Sequence, residues 1–462
     1  MLTYQDYQEF DGAQTDFIKK AISDYKLSEL YKTACDADEY FKQKNITAIN
    51  ATKTIYSLNG NPIDDYTASN IKIACNLFYR LNKQRCAYSL GNGITFSKPE
   101  IKKKFGENID IVAYDAGLNS LKHGVAYYCV ADKIHMFKAT ELVPLYDEYT
   151  GALMAAVRFW QIADNKPLSV EFYEIDGVSV YRENKEKTLV PIKEKKAYIT
   201  KGRYTKAYGM EIIGEENYSA LPIVPQWGSE LHQSTLVGLR SSIDAYDLIR
   251  NEFANNVNDC ATIYWILENC GGMKDADLRQ FRDRLKFTHI ATADTSEGGK
   301  ITPYAQDVPH QAADTFLERM KSEIYEGFGG LDVHTIAAGA TNDHIDAAYQ
   351  PLDENADDFE RHIIEAIQNV GVLLGIDREE ATPIFQRNRI SNQAEQVDMI
   401  VQAAQYLDRE TIVRHFPFIT VDEADDILKR LAAEEQKQVV DMRAELEELR
   451  NTQEDGERKD IM

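Results

Sequence analysis

Two stretches in the second half of the chain repeat apolar side chains every three or four residues, the spacing of one helix face. The first covers residues 235–268 and predicts a helix of about 34 residues, about 50 Å long at 1.5 Å per residue. The second covers 309–330, with Pro309 in its first turn and glycines at its end. The two stripes consist of Leu236, Leu239, Ile243, Tyr246, Ile249, Phe253, Val257, Cys260, Tyr264 and Leu267, and of Ala313, Phe316, Met320, Ile324 and Phe328. The pattern therefore predicts two unusually long amphipathic helices, since the mean globular helix has about 11–12 residues.

The first 90 residues also carry helical spacing. Residues 1–60 predict polar helices, and residues 67–90 predict a stronger one. Thr67 or Ser69 can cap the start of the second helix, and Gly91 can end it.

Residues 94–230 change to short β-branched and aromatic runs, which predict mostly antiparallel strands. The pair Asp176-Gly177 predicts a tight hairpin turn between two of them. Residues 182–206 are rich in lysine and arginine, which favours a solvated edge strand that resists strand addition. The alternative is a local contact with phosphate or an acidic partner.

The segment between the two long helices, 271–308, predicts a small α/β module with a short helix, Asp275–Leu285, and two strand-like runs. Residues 332–344 are rich in small and polar residues and predict a flexible loop. A third helix is expected at 345–375, with Phe359, Ile363, Ile367, Val370 and Leu374 on one face. One strand at 384–391, short helices over 392–435 and a charged, partly disordered tail at 436–462 complete the predicted order.

Charge and composition narrow the class of protein. The chain has 462 residues, with 52 Lys and Arg against 75 Asp and Glu, and a net charge of −23. That excess of acid argues against a surface that grips nucleic acid, because such a surface must displace counterions from phosphates. The most apolar short run, Val370–Ile376, is too short for a membrane span, and no signal peptide is expected. The six cysteines, none in a Cys-x-x-Cys pair, are expected to be reduced thiols.

Catalytic motifs find no support in the sequence. Phosphate-binding loops, nucleophile elbows and His-Glu-x-x-His pairs are absent. A metal site could be imagined where two histidines flank the flexible loop and a third lies in an acidic helix start, but helix N-termini favour acids for other reasons. The residues of that imagined site are His334, His344, His362, Asp357, Asp358 and Glu360.

Two further candidate groups have simpler interpretations. Asp244 and Asp247 resemble a carboxylate pair, although pairing with Arg240 or Arg250 on the same helix is the simpler expectation. Cys129 and Cys260 are expected to be buried, inert thiols. We predict no catalytic activity, no cofactor and no metal.

Several motifs, taken in order, resemble the portal (head–tail connector) proteins of tailed bacteriophages, specifically the siphophage-type family. The first motif is residues 67–96, in which Gly93 stands where the family usually has a proline. The second is the start of a strand at Gly124. The match is strongest from Leu221-Pro-Ile-Val-Pro225 through Ser241–Asp247 to Ala254-Asn-Asn256, and Arg387-Asn-Arg-Ile-Ser-Asn392 completes it. The resemblance covers about residues 65–435.

The resemblance implies an α+β portal-type fold with five named parts. These are an α/β wing (1–230, completed by strand 384–391), stem helices (235–268 and 309–330), a clip (271–308), a tunnel loop (332–344) followed by a long helix (345–375), and a helical crown (392–435). It also implies a ring, twelve-fold in the virion, at one capsid vertex, assembled in the host cytoplasm.

The resemblance further implies the partners of such a ring. They are the terminase large subunit, the head-completion adaptor, major capsid and scaffolding proteins, and double-stranded DNA in transit, with no membrane. The implied site residues fall into three sets. The tunnel loop contributes His334, Thr335, Gly339, Thr341, Asn342, Asp343 and His344, and the clip contributes Lys286, Thr288, His289 and Lys300 for docking. The stem contributes two DNA-facing candidates, Arg319 and Lys321, for which the alternative is ordinary ion pairing with Glu318 or Glu323.

Physical reasoning agrees with a ring, because a long helix with a narrow apolar stripe leaves a second face for a neighbouring subunit. An acidic wall also suits a channel that DNA only traverses. The alternatives are a capsid or scaffold protein that uses the long helices for self-association, and a packaging nuclease.

Overall fold

A computed structural model describes residues 2–57, 59–65, 69–205, 209–260, 264–268, 300–304, 310–336, 341–389, 393–404, 406–415 and 427–434, with 276, 279, 280 and 282. The chain forms two compact units. One comprises Met1–Asp332 with Pro351–Asn388, and the other Val333–Gln350 with Arg389–Met462. Helices and antiparallel sheets share the chain, so the α+β class is confirmed. The finer division into wing, stem, clip and crown stays a prediction.

Four helices open the chain, as expected for residues 1–60. They are α1 (Tyr4–Gln8), α2 (Gln14–Leu27), α3 (Glu29–Phe41) and α4 (Ile46–Asn50). A capping box of Thr3 and Asp6 begins α1. The buried face of α2 shares a core with the neighbouring sheet, including Phe17 and Phe172. An exposed hairpin of β1 (Thr54–Tyr56) and β2 (Pro62–Asp64) follows.

The helix predicted at 67–90 begins ten residues later, as α5 (Leu77–Leu90). The described residues before it, 69–76, are not helical, so a cap at Ser69 is wrong, and Thr67 lies outside the described residues. After β3 (Ile94–Thr95), helices α6 (Pro99–Phe105) and α7 (Ile109–His123) follow. Together α5 and α7 build a core that includes Cys86, Leu90 and Ile109.

Strands dominate residues 125–227, as predicted. A three-stranded sheet has the order β13-β4-β5, from Ile223–Trp227, Val125–Val130 and Ile134–Lys138. A five-stranded sheet has the order β10-β9-β8-β7-β6, from Leu189–Lys196, Gly177–Glu183, Ser169–Glu174, Leu153–Trp160 and Leu142–Tyr146. A separate pair consists of β11 (Ile199–Thr205) and β12 (Gly209–Glu216).

Two details of these sheets test the sequence predictions. The lysine-rich β10 lies at the edge of its sheet, which confirms the expected edge position. The hairpin predicted at Asp176-Gly177 exists, but its two turn residues are Ile175 and Asp176. Gly177 already pairs with Glu174 as the first residue of β9, with φ at 143°.

The first long helix, α8, spans Leu236–Cys260 and is shorter than predicted. Its expected continuation to residue 268 is wrong, because Tyr264–Glu268 forms strand β14, antiparallel to β15 (Lys300–Tyr304). Tyr264 and Trp265 fit an extended, pleated surface well. The second long helix, α9, spans His310–Phe328, close to the predicted 309–330.

The remaining elements follow the predicted order with shifted boundaries. A 3-10 turn at Val333–Thr335 precedes α10 (Asn342–Leu373). Among the described residues of the strand expected at 384–391, Ile384–Phe385 forms β16, paired with β3, and 386–389 are not in a strand. Helices α11 (Gln393–Ala403) and α12 (Arg409–His415) lie in the predicted crown, with residues 427–434 also helical. The predicted tail, 436–462, lies outside the described residues.

Candidate functional site

The long helices α8 and α9 share a core at the N-terminal end of α8. Leu236, Leu239 and Ile243 of α8 pack in one cluster with Ile324 and Phe328 of α9. On α9 the inward-facing stripe differs from the predicted one at one position. Phe316 is 48% exposed, and the half-buried Leu317 lies on the inward face instead. Each long helix therefore buries one face and leaves apolar side chains on another.

The buried stripe of α8 changes from apolar to polar halfway along the helix. After Ile243, the buried positions at intervals of four are Asp247, Asn251 and Asn255. The predicted apolar continuation through Val257 is wrong, since Val257 is 43% exposed. Three consecutive buried polar positions require hydrogen-bond partners, because an unpaired buried polar group is costly.

Those partners come from residues 69–76, which we call the strap. The backbone N–H groups of Ile71, Ile73 and Cys75 donate to Asn255, Asn251 and Asp247, at 2.6, 2.9 and 2.9 Å. Four helical residues rise about 6.0 Å, and two extended residues advance about 6.6 Å, so the two spacings match over three contacts. The strap is extended because α8 satisfies its alternate N–H groups, which explains why the predicted helix starts late.

The acidic pair on α8 also fastens the N-terminal helices. Tyr40 and Thr47 donate hydrogen bonds to Asp244, the second at 2.8 Å. Asn45 donates to Asp247, whose pKa is raised by burial. Pairing within α8, expected from the sequence, is confirmed for Arg250 and Asp247 at 3.1 Å.

Helix α9 ends in a fixed geometry. Gly329 adopts φ +65°, and the N–H of Gly330 donates to the carbonyl of Tyr325 at 2.8 Å. Arg85 of α5 donates to the carbonyl of Phe328, where the helix dipole favours a cation. Burial lowers the pKa of Arg85 to about 10.

The backbone of Leu331, just after the end of α9, is bound by the Gln84 side chain. Gln84 donates from Nε2 to the carbonyl of Leu331 at 2.8 Å and accepts at Oε1 from its N–H at 2.9 Å. The chain therefore leaves α9 in one defined direction.

The predicted tunnel-loop residues are partly helical. Thr335 ends the 3-10 turn that contains His334, and Gly339 lies outside the described residues. Helix α10 begins at Asn342, so Asn342, Asp343 and His344 form its first turn instead of the loop. Thr341 lies just before it, with its hydroxyl 2.7 Å from His344 Nδ1. Asp343 suits the positive end of the helix dipole, a preference that the flexible-loop prediction overlooked.

The two candidate DNA-facing cations on α9 are both paired within the chain. Arg319 lies 3.0 Å from Glu323, the pairing expected as the alternative. Lys321 lies 2.7 Å from Asp332, a partner that helix spacing could not show. Whether either residue faces DNA stays a prediction.

Most of the predicted clip lies outside the described residues, and so do its candidate docking residues Lys286, Thr288 and His289. Lys300 begins β15, opposite Glu268. Residues 276, 279, 280 and 282 are helical, in agreement with the predicted short helix there.

Two acidic residues of the imagined metal site, Asp357 and Glu360, pair with an arginine instead. Arg387 lies 3.1 Å from Asp353 and 2.8 Å from Glu360, and also pairs with Asp357. Its guanidinium lies over the Tyr88 ring at 5.9 Å. The histidine, acid and cysteine side chains of the described segments form no group of three suited to a metal ion.

The predictions for the cysteine thiols and for membrane spans can also be compared with the structure. Burial raises the pKa of the Cys129 thiol to about 12, as expected for an inert cysteine; the Cys260 side chain lies outside the described residues. Over the part of the chain that the structure covers, no helix has the length and apolar character of a membrane span.

Sequence reasoning missed the strap and the Arg387 cluster. The signal for the strap was present, since Asp247, Asn251 and Asn255 recur every four residues on a helix. Nothing local pointed to Arg387, because its partners lie about 30 residues away in the sequence.

Comparison with known proteins places these features in context. Residues 21–439 match the family described as phage portal protein, SPP1 Gp6-like. The portal protein of Clostridium phage phiCD119 is 24% identical over 309 residues, which are 61% of this chain and 68% of that protein.

Proposed function

The chain belongs to the SPP1 Gp6-like phage portal protein family, and we propose that it forms a closed ring at one vertex of a phage capsid. In this proposal the ring, with about twelve copies, is the conduit through which double-stranded DNA is packaged and later ejected. It docks the terminase large subunit and then head-completion adaptors, and it contacts the major capsid and scaffolding proteins. We assign the chain no catalytic step.

The two-faced long helices carry the proposal. One face of each is buried within the subunit, whereas Leu248, Val257 and Phe316 are 38%, 43% and 48% exposed. We infer that a neighbouring subunit covers these side chains, since apolar surfaces that are left exposed on a subunit can serve as interaction sites. A head-to-tail contact between different faces of identical subunits gives a ring when the rotation from one subunit to the next closes.

The charge of the chain supports passage of DNA without capture. Each copy carries a net charge of −23, so a ring of many copies repels a polyanion at most of its surface. The two candidate cations of α9 are neutralised by Glu323 and Asp332. A wall of this kind favours sliding over binding.

Packaging assays with a loop deletion test the conduit. Removal of residues 334–342 should leave rings intact and reduce the amount of DNA packaged in an assay with capsids and terminase. Normal packaging by this variant would contradict a role of the loop beside DNA, and loss of rings would make the loop an assembly element. Purified rings should also retain duplex DNA poorly in filter binding at moderate salt, and tight retention would contradict a non-gripping channel.

A further inference from the structure

A surface groove lies between α5 and α9. Its volume is about 400 Å³, and it is lined by Tyr79, Arg80, Leu81, Lys83, Gln84 and Tyr325. Tyr79 packs against Phe41, with ring centroids 4.9 Å apart, and Tyr325 is buried in the core shared by α8 and α9. Gln84 is already occupied by the backbone of Leu331. The groove therefore has rigid walls, and its two cationic side chains are available to a ligand.

Arg80 and Lys83 differ from the other cations near the long helices. Arg240 pairs with Asp36 at 2.7 Å, and Arg250 and Lys321 also have carboxylate partners. In the described part of the chain, neither Arg80 nor Lys83 has a carboxylate within ion-pair distance. Lys83 lies 3.5 Å from the Tyr114 hydroxyl and over the Tyr114 ring. The two cations give the groove a local positive charge in a chain of net charge −23, and this charge suits an acidic group from outside the subunit.

Helix α9 offers such acids on its outer surface. Asp314 and Glu318 are exposed, and among the described residues neither has a cation within ion-pair distance. They are four residues apart on one helix, and Arg80 and Lys83 are three apart on another. Both spacings place the side chains about 5–6 Å from each other on one face. The two pairs are therefore complementary in charge and in separation.

We propose that Arg80 and Lys83 of one subunit form ion pairs with Asp314 and Glu318 of the neighbouring subunit. The groove between α5 and α9 of one subunit then contacts α9 of its neighbour. The inference deepens the proposed function and rests on it. Exposed ion pairs contribute little to affinity, but like charges placed opposite each other oppose assembly, so the pairs set the register between neighbours. A nucleic acid phosphate is the competing occupant, and the experiment separates the two.

Charge reversal and charge exchange test the contact. We expect the wild-type protein to sediment as a ring, whereas R80E/K83E and D314K/E318K should each lose the ring boundary in sedimentation velocity. The combined variant R80E/K83E/D314K/E318K restores opposite charges across the contact and should recover the ring. The control K103E/K133E changes two exposed lysines on other surfaces by the same total charge and should assemble normally. Circular dichroism of every variant checks that the subunits are folded.

Three outcomes would overturn the inference while leaving the proposed function in place. They are rings from R80E/K83E, rings from D314K/E318K, and failure of the folded four-site variant to recover rings. Rings from R80E/K83E with altered DNA retention would assign the groove to nucleic acid instead. Absence of rings from the wild-type protein would contradict the proposed function itself, and the inference with it.

Discussion

The backbone N–H of Ile73 donates a 2.9 Å hydrogen bond to Oδ1 of Asn251. Asn251 lies in the part of α8 that follows the core shared with α9. Arg250 donates to the carbonyl of the same Ile73 at 3.1 Å. One residue of the strap is thus bound to the helix through both its backbone groups. The strap has no regular structure of its own, so its conformation depends on side chains of α8.

Replacement of Asn251 by leucine should destabilise the subunit by about 1–3 kcal/mol, because the N–H of Ile73 would lose its buried acceptor. Urea unfolding of the monomeric subunit measures this loss. Glu252→Leu on the same helix is the control, since Glu252 is exposed and its 3.7 Å contact with Lys53 contributes little. Equal stability of the two variants would show that the strap adds nothing to the fold.

Gly124→Ala should be strongly destabilising. Gly124 ends α7 with φ +92°, and a Cβ there would lie 2.8 Å from the carbonyl carbon of Gln233. Left-handed backbone alone costs about 1–2 kcal/mol for an L side chain. Gly151 has φ +68° with nothing within 4 Å of the place that an added Cβ would take, so Gly151→Ala isolates that cost. Thermal melts should rank Gly124→Ala well below Gly151→Ala, and similar melting temperatures would refute the close approach.

Arg387→Gln should lower stability by more than the ~1 kcal/mol typical of exposed ion pairs, because Asp353 and Glu360 would keep their charges and lose the guanidinium that pairs with both. Arg387→Lys keeps the charge but loses the planar fork, so its effect should be intermediate. Arg182→Gln, on an exposed strand position, is the control. Chemical denaturation checks the order, and a stable Arg387→Gln variant would mean that the cluster is only a surface feature.

Acidification should destabilise the contact between α3 and α7. His123 is fully buried and lies 2.9 Å from Asp38, and burial lowers the pKa of His123. The unfolded chain then binds a proton that the folded chain does not, so stability falls as the pH drops below about 6.5. Burial opposes the charge on Asp38, but hydrogen bonds from His123 and Lys122 outweigh it and lower the pKa of that carboxyl. Its contribution is lost at lower pH, below about 4.

The measurement is the urea midpoint at about pH 7 and about pH 5, values on either side of the ordinary histidine pKa. His123→Gln can still donate to Asp38 and cannot titrate, so its midpoint should change less between the two conditions. An equal change in both proteins would place the acid sensitivity elsewhere.

Helical periodicity predicted those elements whose stripes are buried within the subunit. Helix α9 and the buried residues Phe359, Ile363, Ile367 and Val370 of α10 match it closely. Runs of β-branched and aromatic residues likewise predicted β4, β7, β8 and β9, because each pairs with a strand close in the sequence, whereas β5 and β6 were not singled out.

The failures arise where distant residues decide the local structure. The strap carries helical spacing, yet side chains about 180 residues away bind its N–H groups and hold it extended. The end of α8 was overestimated because Tyr264 and Leu267 fit an apolar helix face and a strand equally well. Among the candidate site residues, short-range spacing predicted the Arg319–Glu323 pair but could not predict Lys321–Asp332, which joins α9 to the residues after it.

Electron microscopy of the purified full-length protein tests the ring. Class averages viewed down the axis should show closed rings of about a dozen subunits with a central hole, because the exposed faces of α8 and α9 require a different face of a neighbour. Monomers, two-fold dimers or closed shells without an axial channel would contradict it.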